Sequence, residues 1–567
     1  MLTPASNTAQ LNTFLWLLAG VVLYLSFGYT EMQGSDLWWH IAAGREILQN
    51  NSLWLSDNWS FTAPGASWVN HEWLSDIIYY AWVVALDLEA LVYWKWLVVI
   101  LTYVILQVSL TRESQQHAAA FICAAVAIAI AAPFIDIRPH LYSLLGFSIL
   151  VYLLLNRTTA TWKLALLFVV WVNLHGGFIF GLMALAILVF SWGDLKKEAF
   201  VRPLQIMLVC TLACLANPDG INSFLLPLTY ALDASSPYRQ LGEWLPPFQK
   251  GGIQAPLFIW ALAAAPVIAL AYVLPVVRRA TGIPWQGMAL CGLTLLMSLT
   301  SRRFIPLFGI SLAVMFAPLL GLLLQKLKAE KFGLALALLA LVYGGYRMTP
   351  YPVSSGPAYH YLTAEYTYPR DMLNYVEAND IRGKVFALYN WGGFIHWRSD
   401  GKLKVFIDGR ANTVYDDKTY NQYVEVLRGG QNWLQLVEST GADYFLWPYY
   451  QYGGLKKLQA MLDSGRWQAV YQDSVSYLLA RSTVTLPKID KPSAATPYRL
   501  LTAAQLSSFR GDAATAADQA EQVLQQIPYQ KGACNLATAS HRKLGNTGKA
   551  EEILQRCRGY FPSYQLR

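Results

Sequence analysis

Residues 34–73 read GSDLWWHIAAGREILQNNSLWLSDNWSFTAPGASWVNHEW, and their reading decides that of the whole chain. They set Asp36, His40, Arg45, His71 and Glu72 among six tryptophans, directly after the apolar run LNTFLWLLAGVVLYLSFGYT at 11–30. That run has no positive stretch before it and no small-residue cleavage site after it. It is therefore expected to remain as a helix instead of being removed as a signal peptide. The stretch is then a long loop at a membrane face, where ionisable groups are costly and point to function. A plainer reading stays open: an amphipathic surface helix, with Asp36 as its N-cap and Trp38 and Trp39 as interfacial anchors.

The 567 residues are 55% hydrophobic and 14% charged, against about 25% charged in an ordinary soluble protein. The deficit lies in residues 1–350; residues 351–567 have globular composition. Apolar segments at 12–29, 92–110, 118–134, 140–155, 163–173, 177–193, 203–216, 256–275, 283–300, 304–325 and 332–348 are expected to span a bilayer, a span needing about 20 residues. Segment 73–87 is short and bounded by acids, so it is expected to be interfacial or re-entrant. Arg112, Arg157, Lys163, Lys196, Lys197, Arg202, Arg278, Arg279, Lys326, Lys328 and Lys331 then share one side with the N-terminus. The distribution of basic residues makes that side cytoplasmic. The net charge of +8 thus reads as topology, not nucleic-acid binding.

The other side collects DIRPH (136–140), NLHGG (173–177), NPDG (217–220), GEW (242–244) and SRR (301–303). Asp36, Glu72, His71 and Asp136 are the candidate catalytic groups, since a carboxylate beside an acceptor hydroxyl or amide can act as general base. Asp36 and Glu72 could instead hold a divalent cation such as Mg or Mn; no other cofactor is expected. His40, Arg45, Arg138, His175, Glu243, Arg302 and Arg303 are the candidate substrate-binding groups. Guanidinium suits bidentate binding of phosphate, although Arg302 and Arg303 could equally snorkel to lipid head groups. Gly176 and Gly177 beside His175 allow close approach of a backbone or a ligand.

These residues carry a resemblance. A first helix followed by a large loop with an early acid, Asp36, is similar to the GT-C superfamily of membrane glycosyltransferases. DLWWHIAAGREIL, WVNHEWL, RPHLYS, NLHGGF, NPDG and FIDGR resemble, more closely, a bacterial group of GT-C-like proteins, over roughly residues 12–480. A DxD or ExD pattern is missing, as Gly34, Ser35, Asp36 and Leu37 stand around the first acid. The resemblance implies transfer of a sugar from a polyprenyl-phosphate donor to a glycan or protein acceptor at the periplasmic face of a bacterial cytoplasmic membrane. The reading from another class is a non-catalytic protein that binds glycan or lipid during envelope assembly.

Residues 351–490 are expected to form an α/β domain outside the cytoplasm. KVFALYNWGGFIHW, LKVFIDGR, ADYFLWP and WQAVYQDSVSYLLAR read as strands; DDKTYNQYVEVLRG and GLKKLQAMLDSG read as helices. Asp408 and Arg410 sit just past a strand end, where a site or a turn-holding ion pair would fit. In 491–567, GDAATAADQAEQVLQQIP (from Gly511) and GNTGKAEEILQRCRGYFP (from Gly545) repeat at the 34-residue tetratricopeptide (TPR) period. This suggests helical hairpins, which would either bind a protein partner or cap the α/β domain. Cys534 and Cys557 lie almost equally far from the turn at Gly545. In an antiparallel hairpin they come level, so a disulfide is expected.

Overall fold

The computed structural model describes residues 7–560, apart from 30–33, 89, 156–159, 191–197, 233–236, 238–240, 253, 329–331, 349–367, 450, 474, 486–496, 527 and 529. Arg157, Lys196, Lys197 and Lys331, used above for orientation, lie outside the described residues. The chain divides into two compact units, one of residues 1–30 and 69–347, the other of 31–68 and 348–567. The linear division at residue 350 is therefore not the spatial one. The long loop separates at Trp68, and its first part folds with the C-terminal half.

The first unit is helical. It contains α1 (Asn7–Gly28) and, after α2 (Asp36–Asn50) of the other unit, α3 (Trp73–Leu86), α4 (Leu91–Ser114), α5 (His117–Ala131), α6 (His140–Leu155), α7 (Thr161–Leu174), α8 (Phe178–Val189) and α9 (Glu198–Ala213). These are followed by α10 (Asn222–Leu232), α11 (Pro256–Ala271), α12 (Pro275–Thr281), α13 (Trp285–Thr300), α14 (Ile305–Lys326) and α15 (Gly333–Met348). Small residues let the helices approach closely, as is usual where lipid removes the hydrophobic drive for association. A Cβ at Gly309 of α14 would stand 3.1 Å from the Ala127 carbonyl oxygen of α5. Polar groups fasten α1 to α4: Tyr24 donates to Gln107 Oε1 at 2.7 Å, and Gln107 Nε2 donates to the Trp16 carbonyl at 3.0 Å.

Each of the eleven expected spans contains a helix, but their lengths differ from expectation. Among the described residues, four are long and apolar enough to cross a membrane: Leu11–Gly28, Leu91–Ser114, His117–Phe134 and Arg302–Lys326. A fifth arises if α11 and α12, bent by 87° at their break, count as one span. The others, with α3, are apolar helices of 10–17 residues, shorter than the about 20 residues of a full span. Short connections make successive helices alternate in direction. The C-terminal ends of α1, α5 and α7 therefore share one end of the unit with the N-terminal ends of α4, α6 and α8. A hydrogen bond from Trp96 Nε1 to the Gly28 carbonyl, 3.1 Å, ties α1 to α4 at that end.

The second unit is built on a five-stranded sheet of order β4-β3-β5-β7-β6. Its strands are β3 (Gly383–Ala387), β4 (Leu403–Val405), β5 (Tyr444–Pro448), β6 (Trp467–Gln472) and β7 (Ser476–Arg481). β3 pairs in parallel with β4 and β5, whereas β7 is antiparallel to both β5 and β6. One strand expectation is corrected. KVFALYNWGGFIHW is a strand only to Ala387, and Gly392–Arg398 is a helix. Its glycines explain the change: a Cβ at Gly393 would stand 2.8 Å from the Trp39 backbone nitrogen, so this helix lies directly on α2.

The loop completes the sheet. Its own hairpin of β1 (Leu55–Ser56) and β2 (Ser67–Trp68) precedes and follows residues that bridge the edge strand. The Val405 N–H donates to the Trp59 carbonyl at 3.0 Å, and the Phe61 N–H to the Val405 carbonyl at 3.1 Å. An exposed edge invites pairing with other chains; here part of the same chain occupies it. At the centre is Arg410. Its guanidinium bonds Asp408 at 2.8 and 2.9 Å, and reaches Asp57, 353 residues away in sequence, at 2.6 Å. It lies 4.0 Å from the Trp59 ring centroid and 5.1 Å from that of Trp68. Tyr415 donates to Asp408 at 2.7 Å. The side chains of Arg410, Asp57 and Asp408 have no exposure. The Asp408–Arg410 pair thus holds a turn and also anchors the loop.

Four helices close the chain: Pro497–Phe509, Ala513–Gln526, Lys531–Lys543 and Thr547–Tyr560. The second and fourth carry the two repeat copies, with Ala516 and Ala550 buried. Cys534 and Cys557 are joined by a disulfide with Cα atoms 6.2 Å apart. The remaining cysteines, Cys123, Cys210, Cys214 and Cys291, are free and buried.

Burial raises the Asp408 pKa, but the Arg410 charge and hydrogen bonds outweigh it and hold the carboxyl below its usual value. A depressed carboxyl adds stability that is present above its unfolded value, about 3.9, and lost as pH falls through the lower folded value. Arg410→Met at neutral pH leaves two buried carboxylates without their cation. It is expected to destabilise the second unit by about 3–5 kcal/mol and to make residues 52–66 the first site of limited proteolysis. An unchanged melting temperature and digest would refute this role.

Candidate functional site

In the first unit, Glu72 stands at the N-cap of α3, and its Oε1 lies 3.6 Å from His71 Nε2 and 3.6 Å from His175 Nε2. Two imidazoles therefore flank one carboxylate oxygen. The residues come from the WVNHEWL and NLHGGF segments, which meet because α3 packs on α7. Trp73 Nε1 donates to Asn173 Oδ1 at 2.7 Å, and Ser75 donates to the Leu174 carbonyl at 2.5 Å. Asn217 of the NPDG turn adds Nδ2 bonds to Asn173 Oδ1 at 3.2 Å and to the His71 carbonyl at 3.3 Å. The asparagines of these segments thus build the support. Gly176 leaves room for His71, whose Nε2 would be 3.3 Å from a Cβ there. Glu72, Asp76 and Asp136 all lie within electrostatic reach of the buried Tyr79. Asp136 accepts the Ile137 N–H at 2.7 Å, and Asp76 accepts from Asn70 at 2.7 Å.

The three expected phosphate-binding arginines converge on one loop, residues 241–252. Arg138 forms an ion pair with Glu243. Arg303 stands 4.1 Å from the Trp244 ring centroid, and its backbone N–H donates to the Glu243 carbonyl at 3.0 Å. Arg302 is buried; its Nη2 donates to the Pro247 carbonyl at 2.9 Å and also to that of Gln249. Arg302 therefore shapes the loop from within, while Arg138 and Arg303 supply two positive charges around one carboxylate. Burial raises the Glu243 pKa, but Arg138, Arg303 and His140 reverse this and bring it down to about 2.

Asp36, His40 and Arg45 belong to the second unit. Ser35, not Asp36, is the N-cap residue of α2, and Ser35 Oγ donates to Asp36 Oδ1 at 3.2 Å. Gly409 of FIDGR abuts this start: a Cβ there would stand 2.8 Å from Trp39 Cδ1 and 3.5 Å from Asp36 Oδ1. His40 is buried, its ring centroid 3.5 Å from that of Trp39. Arg45 pairs with Asp400 at 3.2 Å and covers the Trp397 ring at 4.6 Å. The interfacial-anchor reading of Trp38 and Trp39 is corrected, because both are buried in the unit. Trp38 packs edge-on against Tyr368 and Phe394, at 5.1 and 4.7 Å between centroids.

Several supporting residues escaped the sequence reading. Glu46 accepts Trp59 Nε1 at 2.7 Å and pairs with His396 at 3.0 Å, while His396 stacks on Trp59 at 4.1 Å. Ser143 bonds His175, and Trp171 in turn bonds Ser143. Ser143 could have been found in RPHLYS, one helical turn beyond the proline; Trp171 carried no signal among other apolar residues. Among the described residues no group of three or more His, Cys, Asp or Glu side chains is arranged to hold a metal ion.

Glu243→Gln is expected to cost about 1–3 kcal/mol, as when a charge-assisted hydrogen bond loses its partner. The Glu243 contribution is complete above the unfolded value of about 4.3 and lost only as pH falls through about 2. Melting temperatures of the detergent-solubilised variant and wild type should therefore differ at pH 7 and converge towards pH 2. A constant difference over that range would count against the pairing.

No family model and no curated protein sequence matches the chain. Solved structures do. The oligosaccharyltransferase of Archaeoglobus fulgidus in its apo form aligns over 94% of this chain and 86% of its own, with 13% identity and a TM-score of 0.52. The archaeal oligosaccharyltransferase AglB from Archaeoglobus fulgidus, in complex with an inhibitory peptide and a dolichol-phosphate, aligns over 95% and 86%, with 12% identity and a TM-score of 0.54. The chain shares the fold of these oligosaccharyltransferase structures, with apolar helices at its N-terminal side and a sheet-bearing unit in its C-terminal half.

Proposed function

We propose that the protein is an integral membrane glycosyltransferase of GT-C type, moving a sugar or glycan from a lipid-phosphate donor to a glycan or protein acceptor. The observation that carries this reading is Glu72, held between His71 and His175 where α3, α6 and α7 meet, on a fold shared with oligosaccharyltransferases. The acceptor hydroxyl or amide attacks the anomeric carbon. The carbon–oxygen bond to the lipid phosphate breaks, and the phosphate leaves with the bonding pair. Glu72 takes the acceptor proton. The charge arriving on the phosphate is met by the cluster of Arg138 and Arg303. Polyprenyl phosphate is the lipid we favour, by analogy with the dolichol-phosphate bound to AglB.

Asp36, the early acid of the superfamily resemblance, is the second carboxylate we assign to transfer. Our reading puts the second unit outside the cytoplasm, in the periplasm of a bacterial cell, with the N-terminus cytoplasmic. The Cys534–Cys557 bond supports this placement, since disulfides persist in oxidising compartments. The closing helices act as TPR-like hairpins that receive a protein partner.

The test is turnover of a radiolabelled polyprenyl-phosphate sugar by purified protein in lipid. Glu72→Gln and Asp36→Asn are each expected to lower transfer by about 10²–10⁴-fold, the usual loss for a positioned acid or base, with expression and melting temperature retained. Wild-type rates in both variants would remove the carboxylates from the mechanism. Binding of lipid phosphate without turnover by wild type would favour the non-catalytic reading. The same assay in EDTA reads the metal requirement: loss with recovery in Mg or Mn would add a divalent cation to the mechanism, and full turnover would leave the carboxylates as acid–base groups.

A further inference from the structure

The support beneath His175 is more specific than packing requires. Trp171 on α7 is pressed between two glycines. A Cβ at Gly146 of α6 would lie 2.7 Å from its ring, and one at Gly181 of α8 would lie 2.6 Å from it. Held in this slot, Trp171 Nε1 donates to Ser143 Oγ at 2.8 Å. Ser143 Oγ stands 2.6 Å from His175 Nδ1, and the Gly177 N–H donates to the same Nδ1 at 3.0 Å. A Cβ at Gly177 would collide with Ser143 Oγ, so only glycine lets that N–H close on the ring.

The direction of each bond follows from its donors. An indole N–H only donates, so it occupies a lone pair of Ser143. A backbone N–H only donates, so Nδ1 must accept. A proton on Nδ1 would face the Gly177 N–H head-on. Ser143 therefore donates its hydroxyl proton to Nδ1, and the neutral ring carries its proton on Nε2. The partner of the far nitrogen sets which nitrogen of an imidazole is protonated, and here two donors set it together. His175 Nε2 is the atom that faces Glu72 Oε1 at 3.6 Å.

We propose that Ser143 is a positioning residue that, with Trp171 behind it, locks His175 as an Nε2–H donor beside the Glu72 carboxylate. The site then presents a fixed donor and a fixed acceptor side by side. A group that is donor and acceptor at once fits this pair, as a hydroxyl or a carboxamide is. In the glycosyl-transfer reading, on which this part rests, that group belongs to the acceptor. His175 holds its lone pair while Glu72 takes its proton.

The test combines a structural and a kinetic measurement. The full chain is labelled with 15N-histidine in lipid nanodiscs, and His175 is assigned by difference from His175→Gln. Wild type should show an unprotonated Nδ1 and a protonated Nε2 in a single set of signals. Ser143→Ala should give a shifted Nδ1 and a second set, while Ser143→Thr, which keeps the hydroxyl, should restore one set. Trp171→Phe, which keeps the ring and removes the donor, should shift Nδ1 as well. In the transfer assay Ser143→Ala should lower kcat between about 10- and 100-fold, as loosened support of a reactive group does, and Ser143→Thr should recover it. A protonated Nδ1 in wild type, or Ser143→Ala signals identical to wild type, would overturn the proposal. So would a change in KM alone. If the nitrogen signals behave as expected but wild type transfers no sugar, the tautomer lock stands and the glycosyltransferase reading falls.

Discussion

A buried guanidinium joins the two pieces of the second unit. Arg410 follows the edge strand β4, while Asp57 comes from the loop after the first helix, and the two meet at 2.6 Å with no solvent around them. Charges removed from water are expensive unless fully paired. Arg410 is set between two carboxylates, with the Trp59 ring on its face. The same bond presses residues 59–61 against β4, which sets Gly393 and Gly409 against α2 and so orients the start of α2 that carries Asp36. If the Asp57 carboxylate is removed, the edge strand, the loop and the acid at the head of α2 all lose their common reference.

The first unit solves a different problem. In a unit of apolar helices, buried polar side chains cannot turn to water, so they are satisfied by one another. The asparagines at 173 and 217, the serines at 75 and 143 and the indoles of Trp73 and Trp171 all bond within a few ångströms of Glu72 and His175. That density of directed bonds at the helix ends is what sets two imidazoles around one carboxylate oxygen. The arginine loop is fixed in a similar way, through carbonyls for Arg302 and through Glu243 for Arg138.

The apolar segments were legible because hydropathy acts locally, and each of the eleven contains a helix. Their lengths were less legible, since bends and breaks such as that between α11 and α12 depend on tertiary packing. His71, Glu72 and His175 could be named from their residue types, and so could Arg138, Glu243 and Arg303. Which of them meet could not be read, because Asp36 and Glu72 share a loop in sequence but belong to different units. The interfacial alternative for Trp38 and Trp39 stayed open because an indole in a loop near a membrane looks the same whether it faces head groups or a protein core. Ser143 stood in a recognisable segment, RPHLYS, but its role could not be read there. A serine in an apolar helix usually bonds its own backbone, and only the arrival of Trp171 and Gly177 gives it direction.

The discontinuous second unit has a consequence for synthesis. Its first piece, residues 31–68, leaves the ribosome after only the first helix of the helical unit, and its second piece follows once all the rest of that unit has been made. Until β4 exists, Trp38, Trp39 and Trp59 have no core to enter and Asp57 has no cation. Contacts of such long sequence separation form late and carry a large loop-closure cost. A nascent chain stopped before residue 348 would therefore display several tryptophans and a loop without the edge strand it bridges. That makes the unfinished protein a natural client for folding factors and a clear target for quality-control proteases, and it ties the maturation of the acid-bearing loop to completion of the polypeptide.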